Sequence, residues 1–268
     1  MRVKRVLAPV LLMLAVVASG AVAAPGATAA EGKYVALGDS YTVAVGTRTY
    51  DDPNDDCRRG PLAYPRLWAE AHPSTTFVEA SCSGAITDDI INSQVPQITA
   101  DTTLVTVQVG GNDAGFVDVL KDCILSLDDA ACVARAEEAK ALAQGTVAGK
   151  LASTYSAVKA AAPSAKVVSI GYPRLYKVGG DCGILGLSDT ERAALNSAAD
   201  VLAEVTAAQS SAAGVTFLDA RTVFDGHGIC SGSEWVTSLE WDKLDESYHP
   251  NTTGHRDGYL AALNAIAG

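Results

Sequence analysis

Four short segments carry side chains that could perform acyl chemistry together: Gly38-Asp39-Ser40-Tyr41, Ser83-Gly84, Gly110-Gly111-Asn112-Asp113 and Ser247-Tyr248-His249-Pro250. A serine hydroxyl is a weak nucleophile until a base takes its proton, and histidine is the usual base. The tetrahedral intermediate that follows needs donors aimed at its oxyanion from fixed positions. A glycine such as Gly84 allows close approach of a backbone N–H, and the Asn112 carboxamide offers a second donor. Taken singly, each segment also has a plain structural reading. Ser40 could only cap a helix, and Gly84 and Gly110-Gly111-Asn112-Asp113 have the composition of turns. Thr42 stands where the Gly-x-Ser-x-Gly elbow would need its second glycine, which argues against an ordinary α/β-hydrolase.

Four histidines compete for the role of base. His72 precedes Pro73 at a helix end and reads as a surface cap. His255 falls inside the last helix and reads as solvated or packed. His227, in Asp225-Gly226-His227-Gly228, sits in a long loop where it could touch substrate, and reads more readily as structural. His249 stands just before the final helix, with Pro250 fixing the backbone beside it, and is the best candidate.

Parallel strands must bring these segments together. The apolar runs Tyr34–Leu37, Thr76–Val78, Leu104–Val109, Val167–Ile170 and Val215–Leu218 alternate with helical stretches. The strongest runs are nearly continuous, as in strands buried on both faces. Helices are predicted over Leu62–Ala71, Val133–Ala162, Ser188–Ser211, with a capping-box start at Ser188-Asp189-Thr190-Glu191, and from about Thr252 to Ile266. Ser40 is expected where the first strand gives way to a helix. Thr47–Gly60 and Asp219–Ser247 are predicted loops. Strand–helix alternation predicts an α/β protein with a parallel sheet covered on both faces. Ligands of such sheets bind at the carboxyl ends of the strands, where Ser40, Gly84 and Asn112 all fall.

The chain opens with a basic Met1-Arg2-Val3-Lys4-Arg5, an apolar run from Val6 to about Ser19, and the small-residue sites Ala21-Val22-Ala23 and Ala27-Thr28-Ala29. This reads as a secretory signal peptide over residues 1–30. The run is too short, and carries Pro9, for a membrane span. Residues 31–268 then form a single domain, expected to be secreted, monomeric and without stable membrane insertion. Without the signal, seventeen Lys and Arg face thirty-one Asp and Glu, a net charge of −14. Such an acidic chain is a poor partner for nucleic acid or anionic membranes, though not for neutral lipids. The six cysteines, Cys57, Cys82, Cys123, Cys132, Cys182 and Cys230, form an even set in an exported chain and point to disulfides. Cys123 and Cys132 suit a small local loop, and Cys57–Cys82 with Cys182–Cys230 is the remaining pairing most compatible with chain order. No C-x-x-C or Cys/His cluster suggests a metal, and no cofactor is expected.

In their order, Gly38-Asp39-Ser40-Tyr41, Gly84, Gly110-Gly111-Asn112-Asp113 and His249-Pro250 resemble the four blocks of the GDSL, or SGNH, hydrolases. Tyr34-Val35-Ala36-Leu37-Gly38-Asp39-Ser40-Tyr41, Gly110-Gly111-Asn112-Asp113-Ala114-Gly115-Phe116 and the six cysteines are similar to the secreted actinobacterial lipases and esterases of that family. The resemblance spans the chain from about Tyr34 onward. It implies a three-layer α/β/α fold with a flavodoxin-like five-stranded parallel sheet. It implies Ser40 as nucleophile, His249 as general base and acid, and an oxyanion hole of Ser40 N–H, Gly84 N–H and the Asn112 side chain. The family usually places Asp three residues before the histidine, and here Glu246 stands there, after Asp245. Glu246 could orient His249, Asp245 could, or a backbone carbonyl in the 246–247 stretch could accept the imidazole N–H and leave a Ser–His dyad. The expected function is hydrolysis of acyl esters of lipids, with Tyr41, Trp235 and Trp241 as candidate acyl contacts. The alternatives are a carbohydrate acetyl esterase on the same scaffold and a catalytically silent binding module. Phospholipase activity is a further possibility within the first class.

Overall fold

A computed structural model describes residues 32–126, 128–183 and 186–267. The expected signal peptide lies outside the described residues. Five parallel strands, β1 (Lys33–Gly38), β2 (Thr76–Glu79), β3 (Thr102–Gln108), β4 (Lys166–Ile170) and β5 (Thr216–Leu218), stand in the order β2-β1-β3-β4-β5. This is the flavodoxin-like order, with its switch point between β1 and β3. All five strands fall where the apolar runs place them. The reason is visible along β1. Tyr34 and Ala36 enter one apolar cluster while Val35 and Leu37 enter another, and all four are fully buried. A strand with an apolar layer against each face has no polar side to alternate with.

Eight α-helices accompany the sheet among the described residues: α1 (Tyr64–Ala71), α2 (Thr87–Asp89), α3 (Phe116–Leu125), α4 (Asp129–Leu142), α5 (Ala148–Ala161), α6 (Asp189–Ala212), α7 (Ala220–Val223) and α8 (Ala261–Ala267). Tyr64 and Trp68 of α1 and Leu263 of α8 pack with Tyr34, Val168 and Ile170 on one face. Leu151, Tyr155 and Val158 of α5 pack with Val35, Leu37 and Val105 on the other. The result is three layers.

Local chemistry sets the helix ends. Ser188 Oγ accepts the Glu191 N–H at 3.2 Å while the Glu191 carboxylate accepts the Ser188 N–H at 2.9 Å, a reciprocal cap that starts α6. The predicted helix from Val133 to Ala162 starts earlier, at Asp129 behind an Asp128 cap, and is interrupted by a wider π-type turn at Ala143–Val147. A similar turn at Gly254–Leu260 precedes α8. The short helix α7 lies inside the stretch expected to be loop, with Asp219 capping it through the Arg221 N–H.

Two further differences bear on the site. The helix α3 was not anticipated from the sequence. Ser40 does not begin a helix: residues 40–48 turn repeatedly without completing one. Its placement comes from the sheet. β1 and β3 run in register from Tyr34↔Leu104 to Gly38↔Gln108. Ser40 and the Gly110–Asn112 turn therefore leave the same sheet edge.

Candidate active site

The nucleophile candidate is held by its neighbours. The Asp39 N–H donates to the Gln108 carbonyl at 3.1 Å, continuing the β1–β3 pairing to the residue before Ser40. The buried Asp39 carboxylate accepts the Tyr41 N–H at 3.0 Å and the Tyr172 hydroxyl. The Tyr172 oxygen in turn accepts the Gly111 N–H at 3.3 Å. This chain of bonds ties the end of β1 to the turn after β3. Burial pushes the Asp39 carboxyl up to about 7, against the lowering effect of its two donors.

Gly84 arrives along the other side of β1. The Cys82 N–H donates to the Gly38 carbonyl at 3.0 Å, and the Ser83 N–H donates to the Cys57 carbonyl at 3.2 Å, beside the Cys57–Cys82 disulfide. Gly84 has φ +80°, a conformation that glycine adopts without a steric penalty. Among the described residues no acceptor takes up the backbone N–H of Ser40 or Gly84. The Asn112 carboxamide donates one N–H to the Ala85 carbonyl at 3.0 Å, which leaves its second N–H uncommitted by that bond. Asp113 accepts from the Thr87 N–H at 2.9 Å, the Thr87 hydroxyl at 2.7 Å and the Lys150 ammonium at 3.2 Å. The segment from Gly84 to Thr87 and the turn from Gly110 to Asp113 are thus clamped together.

His249 meets Ser40 across the sheet edge, with Nε2 at 2.8 Å from Ser40 Oγ. Its Nδ1 lies 2.8 Å from the Ser247 carbonyl oxygen. A carbonyl only accepts, so Nδ1 carries the proton and Nε2 is the acceptor for the Ser40 hydroxyl. Burial holds the imidazole down to about 4, partly offset by the Ser247 carbonyl and the Glu246 and Asp245 charges. The ring is therefore neutral at physiological pH.

Glu246 is placed differently from an orienting acid. Its buried carboxylate accepts the Gly46 N–H at 2.8 Å and the Tyr50 hydroxyl. Asp245 pairs with Arg58 at 2.9 Å. Of the three candidates for the imidazole N–H, the backbone carbonyl is the group within hydrogen-bond distance of Nδ1. Gly46 matters to this arrangement, because a Cβ there would lie 2.5 Å from the Pro250 carbonyl and 3.0 Å from the His249 Cβ.

The other histidines are structural. His72 caps α1 and stacks on Trp68, and His227 stacks on Trp235. His255 is fully buried and accepts the Tyr64 N–H at 3.2 Å. The six cysteines form the bonds Cys57–Cys82, Cys123–Cys132 and Cys182–Cys230. No group of side chains suited to holding a metal occurs among the described residues.

Ser40, Gly84, Asn112 and His249 all line one cleft, with a cavity volume of about 300 Å³. Its walls are apolar, including Phe116, Leu120 and Ile124 of α3, Leu175, and Leu202 of α6. Of the aromatic residues anticipated as acyl contacts, Tyr41 lines the cleft. Trp235 instead packs on His227 and Phe224, and Trp241 is exposed outside it. Sequence reading missed the α3 wall, although apolar residues at 116, 120 and 124 recur at helical spacing. It also missed Tyr172, Thr87 and Thr237, whose hydroxyl donates to the Glu246 carbonyl at 2.6 Å, single polar residues that carry no pattern.

Comparison with known proteins agrees with this geometry. Residues 36–256 match the model of the GDSL-like lipase/acylhydrolase family. The chain is 47% identical to Lipase 1 of Streptomyces coelicolor over 234 residues, covering 87% of this chain and 86% of that one. The crystal structure of phospholipase A1 from Streptomyces albidoflavus NA297 superposes with a TM-score of 0.85 at 47% identity, covering 88% of this chain and 99% of that one. The extracellular lipase of Streptomyces rimosus superposes with a TM-score of 0.84 at 44% identity, covering 87% and 99% of the two chains. With the sheet order and the four motif segments in place, the chain belongs to the GDSL-like lipase/acylhydrolase family and is an ester hydrolase.

Proposed function

We propose that this protein is a secreted enzyme that hydrolyses acyl esters of lipids through a Ser40–His249 dyad. The observation that carries the reading is the 2.8 Å contact between His249 Nε2 and Ser40 Oγ at the head of an apolar cleft. His249 takes the Ser40 proton as the hydroxyl oxygen attacks the ester carbonyl carbon. The oxyanion forms against the Ser40 N–H, the Gly84 N–H and the Asn112 carboxamide. His249 then returns the proton to the leaving alcohol, and water releases the acyl group by the same path in reverse. The Ser247 carbonyl holds the imidazole in the tautomer this requires. The acyl chain lies along Phe116, Leu120 and Ile124. Secretion is supported by the leader read over residues 1–30, by the extracellular lipase among its relatives, and by the three disulfides. No helix of the described residues is long and apolar enough to cross a membrane.

The apolar cleft favours extended acyl chains over the small acetyl group of a carbohydrate esterase. The aligned serine and histidine argue against a silent binding module. Hydrolysis of chromogenic butyrate and caprylate esters by the native protein and Ser40→Ala tests the reading. Activity that falls to background in Ser40→Ala is expected. Equal rates would remove Ser40 from the mechanism, and acetyl-only activity would replace the lipid ester reading.

A further inference from the structure

The cleft is apolar beyond its mouth. Six large apolar side chains are substantially exposed among the described residues, and four of them fall on the two segments that wall the cleft. Val117 is 47% exposed and Leu244 58% exposed, yet both line the cavity, so its rim itself is apolar. Leu125, 73% exposed, follows the cleft residue Ile124 on α3. Trp241, 60% exposed, stands between the cleft residues Leu239 and Leu244. Apolar groups scattered singly need no explanation, but a cluster around one opening marks a contact surface. An exposed tryptophan suits a boundary that is apolar on one side and wet on the other.

Charge around the opening selects the partner. Asp118 lies by Lys121, Asp122 pairs with Arg135, Glu240 with Arg48 and Asp245 with Arg58. Asp242 and Lys243, between Trp241 and Leu244, add one charge of each sign, so the rim offers no surplus of positive charge, and the whole chain is acidic. Anionic lipid surfaces are held by clusters of unpaired Lys and Arg, which this rim does not present. We propose that Val117, Leu125, Trp241 and Leu244 form a docking surface that seats the cleft mouth on a lipid–water interface of zwitterionic or uncharged lipid. The proposal rests on the lipid ester reading of the cleft. It adds a contact with the lipid aggregate, separate from the contacts with the single acyl chain being cleaved.

Binding is read without turnover by sedimenting Ser40→Ala protein with phosphatidylcholine vesicles, and with phosphatidylglycerol vesicles for comparison. Preferential binding to phosphatidylcholine is expected, with a blue shift of Trp241 fluorescence, since Trp68 is buried and Trp235 is packed. Leu125→Ser with Trp241→Ser, neither of which lines the cleft, is expected to weaken vesicle binding about tenfold or more. In the Ser40 background, the same pair is expected to leave hydrolysis of dissolved p-nitrophenyl acetate within about twofold. Val178→Ser, at an exposed apolar residue on another groove, is the control and is expected to bind as the parent. Melting temperatures of all variants identify any loss that comes from unfolding, and each single substitution replaces the pair if the pair unfolds. The proposal is overturned by no binding to phosphatidylcholine, by stronger binding to phosphatidylglycerol, by unchanged binding of the folded variants, or by equal loss in Val178→Ser. Failure of hydrolysis with vesicle binding intact would instead count against the dyad.

Discussion

Ser40 and His249 sit 2.8 Å apart, but the structure holds them by different means. Ser40 follows a strand that is buried along its whole length and paired on both sides, to β2 and to β3. The Gln94 carboxamide also accepts the Gly38 N–H at 2.8 Å and donates to the Gly38 carbonyl at 3.0 Å. His249 rides on a loop held by one short antiparallel bridge, Val236 to Pro250, and by side chains that add to it. The Thr237 N–H donates to the His249 carbonyl at 2.9 Å, and the Thr237 hydroxyl lies 2.6 Å from the Glu246 carbonyl. The Tyr41 hydroxyl holds the Tyr248 carbonyl, and the Glu246 carboxylate anchors the loop to Gly46 and Tyr50. Tyr248, just before the base, has φ +64°, a conformation that a bulky residue keeps only where its surroundings impose it. The contrast separates two kinds of polar residue near a site. Those on the sheet side serve stability first, and those on the loop side serve the position of the base.

The largest effect tests the meeting point. Ser40→Ala and His249→Ala are each expected to lower kcat on a caprylate ester by about 10⁴-fold or more, with the double variant no worse than either, because the two act as a unit. Additive losses would mean that they act separately. Next comes the loop anchor. Glu246→Ala leaves the Gly46 N–H and Tyr50 hydroxyl without their acceptor, and kcat is expected to drop about 10- to 100-fold, since a displacement near 1 Å costs on that order. Glu246→Gln keeps an acceptor and is expected to recover most of that loss. If Glu246→Gln were as slow as Glu246→Ala and also shifted the pH profile, the carboxylate charge, and not the anchoring, would be acting on His249.

Gln94→Ala is the counterpart on the sheet side. It removes two buried hydrogen bonds worth roughly 1 kcal/mol each and leaves the Gly38 N–H unpaired, while the Gly38 carbonyl keeps the Cys82 N–H. A lower melting temperature with kcat nearly unchanged in the folded fraction is expected, and a kcat loss larger than that of Glu246→Ala would invert the comparison. Thr237→Val removes the loop's hydroxyl clamp. A smaller fall in kcat, roughly three- to tenfold, is expected at similar KM, in keeping with one or two modest hydrogen bonds.

The mildest test is pH. The mechanism needs neutral His249, whose pKa is lowered to about 4, so kcat/KM is expected to stay level from neutrality down to about pH 5 and to fall near pH 4. A limb near 6.5 would place the imidazole in a more solvated setting than the structure does. Both His249 and the buried His255, lowered to about 3, bind protons more weakly folded than unfolded. Their contribution to stability is present above about pH 6.5 and is lost as pH falls toward 4 and then 3. Denaturant midpoints across that window measure it, and for the His255 part a variant such as His255→Asn should flatten the slope.

Much of the fold was legible in residue order because burial on both faces leaves a local signature. Val167-Val168-Ser169-Ile170 reads as an inner strand without knowledge of its neighbours. The helix α3 was less legible. Phe116–Leu125 follows directly on a motif rich in turn residues and starts behind Gly115 in a left-handed conformation, with no side-chain cap to announce it. Trp235 and Trp241 show the limit for a cleft, since being aromatic in a long loop does not say which way a ring faces. Glu246 shows it for a site. Its spacing from His249 is compatible with an orienting acid, yet its carboxylate bonds to residues 200 and 196 positions away in the chain.

By itself, the sequence determined the chemical groups available, their order along the chain, and the alternation of apolar strands and helices that delivers Ser40, Gly84 and Asn112 to one sheet edge. These follow from residue type and local periodicity, which no distant contact can change. Only the tertiary structure decided that the Ser247 carbonyl meets His249 Nδ1, that Glu246 anchors the loop at Gly46 and Tyr50, and that α3 walls an apolar cleft with an exposed apolar rim. Each of these depends on where a loop runs relative to elements far away in sequence. Hydrogen-bond geometry tolerates only a few tenths of an ångström, so that path had to be seen before the partners could be named.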